Sequence, residues 1–502
     1  MKSTIVISAL LLAVSYLAIR ATYPESSSDV PLMYWVTDPA PAREEQISRF
    51  HQWLVKHGHI DGDGGPALKL ALDVNNNSDQ SKLIIQGVSG VASELFDVIG
   101  GGEMRLCQQI GLLRDVTDSA SDRGFAPSAT WQPLEPEISL GGRQYCFPRN
   151  AAVRMLWVNT EVFEELGIQA PNRRWTFDEF ETIGREFVAK ANVEGERQTV
   201  FFADSIPIES MHRSLGLSVF NETLTACDLD DPRYVEVLKR LHRWVYEDNL
   251  IPTPSQQSSM QGEAVWGGAG PQLFVKGRYG LLFSGRYMVM QYRRMDTPRL
   301  AVVELPHGGF PNHRASVAAT AVYEGADQPE LAELFLAYLA SPEYNMQIVE
   351  SGDALPPLPA YTEQEEFLRP AKYPNEWGCH EVFAQTMNTN AIGGVYSPYI
   401  LQPVVERMLE DWQQEYDNGL CSPEAAAKET KRSIDLRISQ NIERNPALRS
   451  QFDAAVERQT LIDQRIKEGR PIPIEWIDNP FYRRYYASIG MIEDDQSGGS
   501  LE

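Results

Sequence analysis

The chain has 502 residues, with 45 Lys and Arg against 69 Asp and Glu, a formal charge of −24. Acid in that excess excludes nucleic acid as a main partner, because neutralising phosphates needs a basic face, and it speaks against broad adhesion to anionic lipid. The 43% apolar and 23% charged contents are those of a folded protein, and the length exceeds what one hydrophobic core supports, so two or more lobes are expected.

Taken in chain order, Lys2 precedes an apolar run from Thr4 to Ile19 that closes at Arg20, and the polar stretch Tyr23 to Val30 follows as a linker. At sixteen residues the run reads as an export-directing segment, either a cleaved signal or a retained anchor. Residues 32–36 then form a short apolar strand, and Ile47, Phe50 and Leu54 recur at helical spacing over 43–56. Leu68 to Val74 alternates as a second strand, 79–94 reads as a helix, and Phe96 to Ile99 is a third strand broken by Gly100-Gly101-Gly102. That order implies a parallel sheet covered by helices, whose ligands sit beyond the carboxyl ends of the strands. The loops there are Thr37-Asp38, Asn75-Asn76-Asn77 and Gly100 to Glu103.

Further along, Thr176 and Glu179 form a capping box ahead of a stripe of Phe177, Phe180, Ile183 and Phe187, and Asp231-Pro232 opens another helix. Leu281 to Phe283 and Leu300 to Val303 read as strands, Glu330 to Leu339 as a helix, and the pattern is almost wholly helical from Leu401 onward.

The chemical motifs tested are mostly absent. No phosphate-binding G-x-x-x-x-G-K-[ST] or nucleophile G-x-S-x-G occurs. Asp73 to Ser78 begins like a calcium loop but carries Ser78 in place of the required Gly. His57 to Asp63 reads as a solvated connection rather than a metal site. Cys107, Cys146, Cys227, Cys379 and Cys421 lack C-x-x-C spacing; one or two disulfides could form in an exported chain, leaving at least one thiol free. No cofactor, metal or catalytic residue is assigned. What stands out is aromatic residues beside glycines: Trp266, Tyr287, Trp377, Tyr396 and Tyr399. Aromatic faces stack on sugar rings while Arg, Asp and Asn satisfy the hydroxyls.

Four stretches then carry a family resemblance. They are Glu94 to Gly100 with Gly111 to Val116; Tyr145 to Pro148 with Leu156 to Phe163 and Trp175 to Phe180; Leu273 to Gly285; and Gln328 to Tyr338 after Leu305-Pro306. Together they resemble the family 1 extracellular solute-binding proteins of ABC importers, the group containing maltose-binding protein, over roughly residues 31–440. Arg286-Tyr287 departs from the Pro-Trp pair frequent there, and residues 441–494 extend past the usual end.

The resemblance implies a two-lobed α/β fold, the type II periplasmic-binding-protein fold, with a ligand cleft that closes about a hinge. Expected boundaries are 31–147 with 303–354 for lobe 1, 148–302 with 355–440 for lobe 2, and 441–502 as a helical extension packed on a lobe. The chain is expected to cross near Phe147 to Arg149, return near Val302 to Leu305 and cross again near Ala354 to Pro357. Transferring the family's site by segment gives Asp38, Asn75, Gly101 and Gly102 from the first lobe and Arg149 and Asn150 from the hinge. Trp266, Arg286 and Tyr287 come from the second lobe, with Trp377 and Tyr396 beside them. The implied function is non-enzymatic: an extracytoplasmic, monomeric protein that captures a carbohydrate and delivers it to ABC permease subunits, with no nucleic-acid partner. Alternatives are the same fold holding a polyamine, organic anion or peptide, or a membrane-tethered sensor. An Arg-rich, aromatic-poor cleft would favour an anion.

Overall fold

A computed structural model describes residues 30–74, 80–260 and 268–493. The N-terminal apolar run, Asn75 and Trp266 lie outside these. Two sheets organise the chain. The first contains β1 (Leu32–Val36), β2 (Lys69–Asp73) and β3 (Leu95–Ile99), with β1 central and parallel to both neighbours. A small hairpin, β4 (Ser139–Leu140) and β5 (Arg143–Gln144), leads into β6 (Phe147–Val153) and β7 (Met155–Asn159). With β8 (Phe201–Ala203), β9 (Tyr279–Ser284) and β10 (Leu300–Val303), β7 builds the second sheet in the order β10-β7-β9-β8. The chain then returns to the first sheet through β11 (His313–Val322), which runs antiparallel to both β3 and β6, and β12 (Ala391–Ile392) pairs at its start.

Because β6 pairs in the first sheet and β7 in the second, the passage between sheets falls at Arg154, later than the expected Phe147 to Arg149. The return lies between Val303 and His313, and Ala151 bridges Leu355, which brings a third segment to the same place. Placing all of 355–440 with the second sheet also needs correction, since β12 pairs in the first. The reason is register: β11 is ten residues long, enough to serve β3 at one end and β6 and β12 at the other.

Each sheet has a core of its own, and a further cluster that includes Phe96, Trp157 and Leu282 spans both. Beside β1, Trp35 packs on Phe335 with ring centroids 4.9 Å apart, and Phe335 meets Phe50 edge-on at 5.1 Å. This is why Phe50 recurs in phase with Ile47 and Leu54 on the helix Arg43–Lys56. Around the second sheet, Phe180, Phe187, Phe202, Trp175 and Trp244 form a continuous aromatic core. The capping box of Thr176 and Glu179 starts the helix Phe177–Ala191 that carries two of them. Two local expectations change. The helix expected over 79–94 is Gln80–Val88, ended by Gly90 at φ +73. Gly101 and Gly102 do not lie in a loop but open the helix Gly101–Gln109.

The C-terminal region is helical: Gln402–Asp417, Pro423–Arg444, Arg449–Lys467 and Pro480–Ser488. Its end is fastened to residues 218–222 by the buried Asn479, whose side chain donates to Ser218 Oγ at 3.0 Å and to the carbonyls of Phe220 and Asn221. Ile462, Ile472, Ile477 and Phe481 are buried with it, against Ile392 and Phe310. All five cysteines are free thiols, so the disulfides considered from the sequence are not formed; Cys107, Cys146, Cys227 and Cys379 are buried. Among the described residues no helix is long and apolar enough to cross a membrane, and no group of His, Cys, Asp and Glu is placed to hold a metal ion.

Candidate functional site

The expected site residues fall into two clusters and several isolated positions. The first cluster is centred on Arg149, which is buried on β6 and pairs with Asp38 at 2.8 Å, Asp97 at 2.9 Å and Asp353 at 3.2 Å. Arg43 adds a second guanidinium to Asp38 at 2.9 Å and also reaches Asp353. Asn150 donates to Asp353 Oδ1 at 3.1 Å, and Thr320 donates to Asp97 at 2.7 Å. Burial alone would raise the Asp38 carboxyl, but Arg149 and Arg43 hold it down at about 2. Asp38, Arg149 and Asn150 therefore sit together, yet their polar atoms are largely spent on one another. They lock β1, β6 and the 353–355 segment in place and expose little to a ligand.

The second cluster begins at the carboxyl end of β3. Gly101 N–H donates to Glu137 Oε2 at 2.6 Å, and the Tyr396 hydroxyl donates to the same oxygen at 2.7 Å. Gly394 N–H reaches the other carboxylate oxygen at 2.6 Å. Arg105, one turn into the helix, lies over the Tyr396 ring with 4.6 Å between its guanidinium carbon and the ring centroid. A side chain at Gly101 would place Cβ 2.3 Å from the Pro136 carbonyl oxygen, which explains why glycine stands there. From β11, Arg314 donates to the Tyr396 hydroxyl and to Glu209, both at 3.2 Å. Burial would raise Glu209, but Arg314 and Arg213 bring it down to about 2.

Gly102, Arg105 and Tyr396 line a cavity of about 1260 Å³. Its far wall is the C-terminal region, through Asn441, Arg444, Asn445, Arg458 and Arg483. Opening at the carboxyl end of a strand, it lies where ligands bind in parallel α/β sheets. A smaller cavity of about 260 Å³ lies at the carboxyl ends of β8 and β9, lined by Asp204, Phe283 and Ser284. Burial raises Asp204 to about 7, against the opposing effect of the Phe283 N–H that it accepts at 2.6 Å. Arg154, exposed at the passage between the sheets, lies 5.9 Å from the Phe283 ring. A third cavity, of about 630 Å³, follows the seam between the helix Pro480–Ser488 and residues 308–312, beside β12 and the start of β11.

The remaining expectations fare differently. Arg286 is buried, donating to His380 Nδ1 at 3.0 Å and to the carbonyls of Ala354 and Val349, so its donors face the protein interior. Burial lowers it to about 9. Trp377 is 49% exposed, with its indole N–H on the Pro370 carbonyl, and lines none of these cavities. Tyr287 packs against Ala40, Ala42 and Met290, bridging the end of β9 to the loop after β1. Asn75 and Trp266 lie outside the described residues.

Arg105, Glu137, Glu209, Arg314 and the C-terminal arginines escaped sequence reasoning. The period-two pattern of Arg314, Ser316 and Ala318, half-buried between buried neighbours, is the one signal that could have marked β11.

Comparison with known proteins follows the same lines. Residues 71–346, more than half of the chain, match the model of the bacterial extracellular solute-binding proteins. No curated protein sequence matches. Among solved structures, the ABC substrate-binding protein Lmo0181 from Listeria monocytogenes, in complex with cycloalternan, is similar with a TM-score of 0.67 and 19% identity, covering 82% of this chain and 100% of its own. The GacH receptor of Streptomyces glaucescens, solved unliganded and with acarbose, superposes at a TM-score of 0.65 with 14% identity, over 82% of this chain and 99% of its own. MalE from Bdellovibrio bacteriovorus, bound to maltotriose, does so at 0.62 with 13% identity, over 82% and 100%. At these identities the likeness is one of fold.

Proposed function

The chain belongs to the bacterial extracellular solute-binding proteins, and on that premise we propose that it captures a mono- or oligosaccharide and delivers it to the membrane subunits of an ABC importer. The observation that carries this reading is the 1260 Å³ cavity at the carboxyl end of β3. It is large enough for several sugar rings, and its walls offer what saccharides require. Tyr396 and Tyr399 supply aromatic surface, and the carboxamides of Gln108, Gln402, Asn441 and Asn445 both donate and accept hydrogen bonds. The likeness to proteins solved with cycloalternan, acarbose and maltotriose supports the same cargo class.

Binding is by closure. The chain passes between the sheets at Arg154 and over the 304–312 stretch, with Leu355 bridged to Ala151 beside the first passage, and a solute that contacts both sides shifts the population toward the closed form. The work is binding and presentation, without covalent chemistry, by a monomer exported through its N-terminal segment. Calorimetry against mono- and oligosaccharides, a polyamine and a peptide tests the cargo. Binding of the polyamine or peptide with silence across the sugars would overturn it. Mass spectrometry of the mature N-terminus distinguishes a cleaved signal from a retained anchor.

A further inference from the structure

We infer that the saccharide taken by this cavity is acidic, carrying carboxylate or sulfate ester groups, and that the C-terminal extension supplies their binding surface; the inference rests on the carbohydrate reading above. The argument starts from charge. In a chain of net charge −24, the described residues lining the cavity include four arginines, Arg105, Arg444, Arg458 and Arg483, and a single carboxylate, Asp478. Arg458 is paired with it, and Arg483 also faces it. Among the described residues Arg444 forms no ion pair; Arg105, which has Glu137 nearby, donates to the carbonyls of Gly101 and Pro136, and Arg483 to that of Ile477. Arg149, by contrast, is surrounded by three carboxylates for its one guanidinium. A concave, partly enclosed surface with four guanidiniums against one lining carboxylate concentrates positive potential and draws in an anion. Guanidinium groups also bind carboxylate and sulfate oxygens through paired donors.

Two further observations point the same way. Three of the four arginines, Arg444, Arg458 and Arg483, belong to the C-terminal helical region and lie beyond residue 440, where the family resemblance ends. The extension is also held rigidly, through buried Asn479 and the contact of Gln459 with Glu222 at 2.6 Å, so its arginines face the cavity at fixed positions. Tyrosines and carboxamides on the remaining wall leave room for the sugar rings that carry the acid.

The test uses the full chain and calorimetry at 20 and 150 mM NaCl with tetragalacturonate, a sulfated carrageenan tetrasaccharide, maltotetraose and cellotetraose. An acidic probe is expected to bind at least tenfold tighter than both neutral ones, with the advantage shrinking at the higher salt. Which acidic probe prevails tells carboxylate from sulfate. Arg444→Gln, at an exposed position without an ion-pair partner, is expected to lower acidic affinity at least fivefold, and by more than it lowers neutral-probe affinity, with melting temperature unchanged. Neutral tetrasaccharides binding as tightly as the acidic ones would overturn the inference and leave the carbohydrate reading standing. Binding of no saccharide of either kind would overturn both.

Discussion

The phenol of Tyr396 donates a 2.7 Å hydrogen bond to Glu137, 259 residues away, and so ties the segment before the C-terminal helices to the glycine turn after β3. The same hydroxyl accepts from Arg314 of β11. One side chain thus joins three segments in the wall of the 1260 Å³ cavity. Tyr396→Phe keeps the ring under Arg105 but removes a hydrogen bond to a charged group. It should cost about 1.5–3 kcal/mol of stability in urea unfolding and weaken solute binding, since the wall loses its anchor.

Arg149 is the single cation facing Asp97 and shares Asp38 and Asp353 with Arg43. Arg149→Met would leave buried carboxylates short of their partner and should destabilise by about 3–5 kcal/mol, read as a lower denaturation midpoint. Arg149→Lys should recover only part of this, because an ammonium cannot serve three carboxylates with a planar fork.

Asp204 provides a pH test with a definite sign. Its folded value of about 7 lies above the ordinary 3.8, so between those values the folded chain holds a proton that the unfolded chain has released. Stability from this group is therefore full below pH 4 and is lost as pH rises toward 7. Asp204→Asn should remove that loss, so the variant gains relative to the parent by about 1–3 kcal/mol between pH 4.5 and pH 8 in paired urea titrations. A constant difference across the range would contradict the assignment.

Glu209 should act in the opposite sense. Its folded value of about 2 lies below the ordinary 4.5, so its contribution is present above pH 4.5 and fades as pH falls toward 2. Glu209→Gln should flatten acid unfolding in that window while lowering stability at pH 7, both visible by circular dichroism.

Trp377 serves as the contrasting case. It is half-exposed and outside the described cavities, so Trp377→Ala should change stability by no more than about 1 kcal/mol and leave solute affinity unchanged in calorimetry.

Much of the architecture could be read directly from the residues. The strand Leu32–Val36, the helix Arg43–Lys56 and the capped helix Phe177–Ala191 occur where periodicity and capping place them, because those signals act within a few residues of the chain. The glycine run ended a strand as expected, but its continuation as a helix depends on Glu137 receiving the Gly101 N–H from 36 residues away. The carboxyl-end loops lie at the end of the first sheet where the 1260 Å³ cavity opens. They did not tell which polar residues there would face a solute.

By itself the sequence determined the two-lobed α/β class, the family and the acidic charge, since these rest on local patterns and on totals. The tertiary structure decided the fate of each charge. Arg149 and Arg286 are buried and spent on the protein's own oxygens, whereas Arg105, Arg444, Arg458 and Arg483 line the cavity. An arginine looks the same at every position in a sequence. Whether it locks a fold or faces a solute depends on which acceptors the fold brings beside it, and on how much water it keeps: Arg105 meets a carbonyl from 31 residues away and Arg149 a carboxylate from 204.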